Sequence, residues 1–139
     1  MSYEDCLRKN LIKKDLNVKD RVLLSLKTAD RFLEEANGNF KIKYYDVCEL
    51  LCYSSCFHAA RALLFSKGYT ERSHVCLIEA LFHLFDNDHE LNSTLSSFDQ
   101  LRLSRHNIQY DGALVSEEKA KEVLKFTENF IKAARKRLK

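Results

Sequence analysis

A chain of 139 residues with no proline and three glycines can be interrupted in very few places. Proline ends helices and glycine permits tight hairpins, so their scarcity removes most turn signals of a sheet protein and leaves long helical stretches. With 45% apolar residues and no low-complexity segment or internal repeat, residues 1–139 fit one globular domain with one core. The expected architecture is all-α, an up-and-down bundle of five to six helices joined by short connections.

Periodicity and capping residues place those helices. Ser2 with Asp5 opens a first one reaching about Lys14, and Asn17 with Asp20 opens a second, its face marked by Val18, Val22, Leu26, Ala29, Leu33 and Ala36 and its end by Gly38. A long third helix runs from about Lys43 to Lys67 and stops at Gly68. Residues 70–73 cap a fourth, reaching about Asp86. The fifth spans His89 to about Ile108 with Gly112 beyond it, and Ser116 caps the last. On the third helix Cys48, Cys52 and Cys56 recur every fourth residue beside Ser55, Ala59 and Ala60, a small-residue face that lets a neighbouring helix come close.

Five cysteines, Cys6, Cys48, Cys52, Cys56 and Cys76, are an odd number without the C-x-x-C spacing of zinc or redox sites, so neither a disulfide framework nor a metal centre is expected. No apolar run has the length of a membrane span and the N-terminus lacks a signal-peptide pattern, which predicts a cytoplasmic protein.

Arg105 breaks the pattern. Leu91, Leu95, Phe98, Leu101, Arg105 and Ile108 are spaced by three and four residues along one helix face, and Arg105 stands where an apolar side chain is expected. A guanidinium does not lose its proton, so on a packed seam it needs an anion, a carbonyl or a solvent-filled cleft. His106, Asn107, Gln109, Tyr110 and Asp111 follow immediately, closed by Gly112. A seam of this kind is better explained between two subunits than in an isolated bundle.

The net charge of +3 is less informative than its distribution. Residues 116–139 hold eight basic and four acidic side chains, which leaves the rest near neutral. Lys132, Arg135, Lys136, Arg137 and Lys139 lie near a helix C-terminus, where the dipole favours cations, so a solvated helix end explains the run as well as a phosphate-binding tail does. The chain has no glycine-rich phosphate loop, G-x-S-x-G elbow or H-E-x-x-H helix, which removes the nucleotide, esterase and zinc-protease readings that depend on them.

Two segments carry a resemblance. Tyr53-Ser-Ser-Cys-Phe-His-Ala-Ala-Arg-Ala-Leu-Leu-Phe-Ser-Lys-Gly-Tyr69 with Ser73 and His74 resembles the central helix and following turn of the HEPN superfamily, especially its small prokaryotic members. Leu101-Arg-Leu-Ser-Arg105-His-Asn-Ile-Gln-Tyr110-Asp-Gly112 falls where that superfamily carries its signature of Arg, a polar residue, a few positions and His. The resemblance covers roughly residues 19–136. It implies a helical bundle that dimerises, with the two signature segments facing each other across a cleft. Many members are metal-independent endoribonucleases, often toxins paired with a small nucleotidyltransferase antitoxin; others are non-catalytic and bind RNA, nucleotides or a partner protein.

The carry-over is uneven. Arg105 matches the signature Arg and His106 the polar position after it, while the signature His falls on Tyr110. Metal-free RNA cleavage needs a base for the ribose 2′-hydroxyl, and a phenol with a pKa of about 10 is a poor one at neutral pH, although it can donate a hydrogen bond or stack on a base. The tyrosine that antitoxins modify in nuclease members corresponds to Gly112. His106, four residues after Arg102, shares its side of the helix and could serve as the base beside Arg102 and Arg105, or be a polar residue at the edge of an interface. His74, at a helix start, is a further candidate.

Two readings follow. One is a non-catalytic HEPN module binding RNA or a nucleotide through Arg102, Arg105, Asn107, Tyr110 and His74, with a nucleotidyltransferase partner; the other is an endoribonuclease toxin acting through Arg105, His106 and Tyr110. Neither calls for a metal or cofactor, and both expect a homodimer.

Overall fold

The chain winds around one helix. The computed structural model describes residues 1–138, and in it α3 (Tyr45–Ser66) buries twelve side chains. A helix enclosed on so many sides needs neighbours that approach closely, and its small residues allow it: Cys48, Cys52, Cys56, Ala59 and Ala60 are all fully buried. Helices α2 (Val22–Lys41) and α6 (Glu117–Arg137) pack on it, and α4 (His74–Leu84) and α5 (His89–Asp111) close the remaining sides.

Several of its polar groups are satisfied by those neighbours. Ser55 Oγ donates to the Ala29 carbonyl of α2 at 2.7 Å, and Ser25 Oγ of α2 donates to the His58 carbonyl at 2.8 Å. Cys56 Sγ lies 3.6 Å from Thr127 Oγ1 of α6, whose hydroxyl donates to Val123 O at 2.8 Å. Paired in this way, the buried hydroxyls avoid the desolvation cost of an orphaned polar atom. Buried residues from all six helices join one apolar cluster, and no helix of the described residues is long and apolar enough to cross a membrane.

The all-helical expectation stands, with departures near the N-terminus. Helix α1 (Tyr3–Arg8) has the expected Ser2–Asp5 capping box but ends well before Lys14. Asn10 adopts φ of 57°, which breaks the helix, and β1 (Ile12–Lys14) then pairs antiparallel with β2 (Tyr69–Glu71), Ile12 opposite Glu71. Asp15, rather than Asn17, caps the next turn, a 3₁₀ segment over Leu16–Arg21 leading into α2. Gly38 does not end α2, which continues three residues further through it. Gly68 and Gly112, by contrast, take φ of 83° and 68° just beyond α3 and α5, as the left-handed stops predicted for them.

Cysteine pairing is the clearest correction. Cys6 of α1 and Cys76 of α4 form a disulfide across a sequence separation of 70 residues, while Cys48, Cys52 and Cys56 stay free and buried. An odd count with no local spacing could not reveal a pair that only tertiary folding brings together. Near the other terminus, Arg135 pairs with Asp30 and Arg137 with Asp88, at 2.5 Å in each case, so these two basic residues tie α6 to α2 and α5; Lys139 lies outside the described residues.

A cross-link over so long a loop restricts the unfolded chain. Cys6→Ser/Cys76→Ser is expected to lower stability by about 2–4 kcal/mol, measured by urea unfolding without reductant. An unchanged midpoint and slope would refute a structural role for the bond.

Candidate functional site

Arg105 is accommodated within one chain. Leu91, Leu95, Phe98, Leu101 and Ile108 of α5 are buried, and the half-buried Arg105 stands between the last two on the same face. Its guanidinium carbon lies 4.7 Å from the centre of the Tyr53 ring on α3, a cation–π contact, and Nη1 donates to Gln109 Oε1 one turn on at 3.0 Å. Nε is enclosed with no hydrogen-bond partner. The aromatic face thus supplies part of what the sequence led one to seek from a second subunit.

Tyr53 connects Arg105 to His74. The Tyr53 hydroxyl lies 2.5 Å from His74 Nδ1, and the imidazole stacks on Phe57 with ring centres 4.2 Å apart. Ser73, whose Oγ accepts from Cys76 N at 3.2 Å, caps α4 and so fixes His74 in its first turn. Tyr53 and Phe57, four residues apart on α3, form the floor under this imidazole.

Electrostatics set the protons. Burial pushes the Tyr53 phenol up to about 12, against the pull of Arg105 and Arg102, so it keeps its proton at neutral pH. Burial, then the charges of Arg105, Arg102 and Arg61, push His74 below the ordinary histidine range, so its ring is neutral. The phenol and Nδ1 share one hydrogen bond, and with the phenol as donor the imidazole proton sits on Nε2. Arg102, tied to Asp99 Oδ1 at 2.9 Å, adds a second fixed cation. Two guanidinium groups and an imidazole N–H can hold an oxyanion. In that tautomer Nδ1 is occupied and Nε2 carries hydrogen, so His74 is not arranged to remove a proton.

The nominated residues divide into two groups. Arg102, Arg105 and His74 converge around Tyr53. His106, Asn107 and Tyr110 are exposed near the end of α5, with the His106 and Tyr110 rings 4.7 Å apart. The Asn107 carbonyl accepts from Gly112 N and Ala113 N as part of the helix stop. No group of three or more His, Cys, Asp or Glu among the described residues is placed to hold a metal ion.

Sequence reasoning missed Tyr53 and Phe57 as members of the site, although their four-residue spacing, continued by Arg61, was available. It also missed Glu49. This carboxylate, one turn before Tyr53, is fully buried; Oε2 accepts from Ser104 Oγ at 2.5 Å and Oε1 has no partner. It joins α3 to α5 immediately before Arg105.

A HEPN domain model matches residues 22–137, a span that contains α2 to α6 and every residue around Tyr53. A UPF0332 protein of Archaeoglobus fulgidus is 25% identical over 120 residues, an alignment covering 84% of this chain and 94% of that relative. The family match extends over most of the chain and takes in both segments on which the resemblance rested, and the protein belongs to the HEPN family.

Proposed function

We propose that this protein is a non-catalytic HEPN module that binds single-stranded RNA through the Arg102, Arg105 and His74 cluster. The observation that carries this reading is the 2.5 Å Tyr53–His74 hydrogen bond: with the phenol as its donor, the histidine that shares Tyr53 with Arg105 offers an N–H and not a free base. Position 110 holds a phenol, exposed and outside the cluster. The site is therefore better equipped to hold a phosphate than to cut beside one.

The module acts as a homodimer in this reading. Leu103, Tyr110 and Leu114 are 52%, 64% and 95% exposed along α5 and the loop after it, and a second subunit would cover them. A small nucleotidyltransferase is the proposed partner protein, and the cytoplasm the proposed location. Cys6 and Cys76 are fully enclosed, which limits the access of attacking thiols to their disulfide.

The second reading, a metal-independent endoribonuclease toxin, has one observation in its favour. The His106–Tyr110 pair is exposed, so a facing subunit could bring it to the partner's Arg105 cluster. Incubating RNA with the protein in chelator separates the two: Arg105-dependent cleavage overturns the binding module, and intact RNA with retained binding supports it.

For binding, Arg105→Ala is expected to weaken affinity for a labelled RNA oligonucleotide by about tenfold, about 1.4 kcal/mol, and to reduce the slope of log affinity against log salt by ~1. Wild-type affinity is also expected to rise as the pH falls past the lower end of the ordinary histidine range, because His74, whose pKa burial and the neighbouring guanidinium groups hold down, gains a proton only there and adds a cation beside Arg102, Arg105 and Arg61. His74→Gln should flatten that rise in anisotropy titrations; an identical pH profile in the variant would remove His74 from the site.

A further inference from the structure

Among the described residues, Glu49 is the one acidic or basic residue that is fully buried. Oε2 accepts from Ser104 Oγ at 2.5 Å, while Oε1 is enclosed with no partner. An orphaned buried oxygen opposes folding, and an apolar side chain of similar size would fill the same space without that penalty. Packing therefore gives no reason for a glutamate here. Its place beside the Arg105 cluster does.

Glu49 and Tyr53 are one turn apart on α3, and they meet the adjacent residues Ser104 and Arg105 of α5. The second of these contacts is loosely defined. Arg105 donates to Gln109, an exposed residue of its own helix, and its Nε is enclosed without a partner, so neither group ties the guanidinium to α3. An aromatic ring attracts a cation anywhere within about 6 Å of its centre. An O–H···O bond is far stricter, holding its two atoms within a range of about half an ångström. The directional tie next to Arg105 is thus the one its neighbour makes.

We propose that Glu49 is a positioning residue for the Arg105 cluster: through Ser104 it sets the place of α5 at which the guanidinium lies over Tyr53. For its effect on affinity the proposal rests on the RNA-binding reading above; for its effect on Arg105 it rests on the fold alone.

Glu49→Leu, Glu49→Gln and Ser104→Ala are compared with the wild type and Arg105→Ala. Glu49→Leu is expected to melt no lower than the wild type and yet to bind a labelled RNA oligonucleotide about tenfold more weakly. Adding it to Arg105→Ala should change affinity little further, because residues that act through one another are not additive. Glu49→Gln, which keeps an acceptor for Ser104, should recover most of the affinity. The readout independent of RNA is the His74 imidazole, titrated by NMR: Arg105 is among the charges that hold its pKa down, so a displaced guanidinium lets that pKa rise in Glu49→Leu as in Arg105→Ala. Ser104→Ala removes the same bond from its half-buried end, and its His74 shift carries the test should Glu49→Leu not fold. An unshifted His74 overturns the proposal, whatever happens to the melting temperature, as does an affinity loss that adds fully to that of Arg105→Ala. If the wild type binds no RNA, the RNA-binding reading falls, and the His74 titration alone upholds or overturns the positioning role.

Discussion

Everything in this molecule is arranged around a helix with little access to water. Because α3 is enclosed, most of the polar groups it buries find partners within the protein, and those partners fix how the other helices sit. Ser55 and the His58 carbonyl set α2, Cys56 faces Thr127 of α6, and Glu49 holds Ser104 of α5. An apolar helix would allow its neighbours to slide. Here the hydrogen bonds specify their register, and the position of Arg105 over Tyr53 follows from that register.

The same enclosure explains the chemistry of the site. Tyr53 is raised and His74 lowered chiefly by burial, so both are neutral at pH 7 while the guanidinium groups remain charged. The cluster therefore combines permanent cations with neutral donors of defined direction. With Tyr53 donating to Nδ1, the hydrogen of His74 sits on Nε2, so a residue inside the core bears on what the half-buried histidine can offer.

What could be read from the chain was what is encoded locally. Gly68 and Gly112 mark helix ends through their backbone freedom and Ser116 through its side chain, and the structure uses all three as predicted; within the polar stretch 70–73 it is Ser73 that caps α4. Arg105 was conspicuous because a fixed charge interrupted a helical face. Tyr53 drew no notice as a site residue, since an aromatic on a buried helix is ordinary until a guanidinium and an imidazole are seen against it. The β1–β2 pairing and the Cys6–Cys76 bond were hidden for a similar reason: each joins segments far apart in sequence, and neither half carries a signal of its partner.

The joined N-terminal segment has a consequence for what counts as the folding unit. The family match begins at residue 22, yet Cys6, Ile12 and Val18 are already buried in front of it, and β1 supplies the neighbour of β2. A fragment trimmed to the recognisable boundary would have an open seam: an unpaired strand edge at Tyr69–Glu71, beside the carboxylate that holds Arg61, and a lone thiol at Cys76 two residues from His74. The length that similarity delimits is shorter than the length that closes the core, and the difference lies against the site.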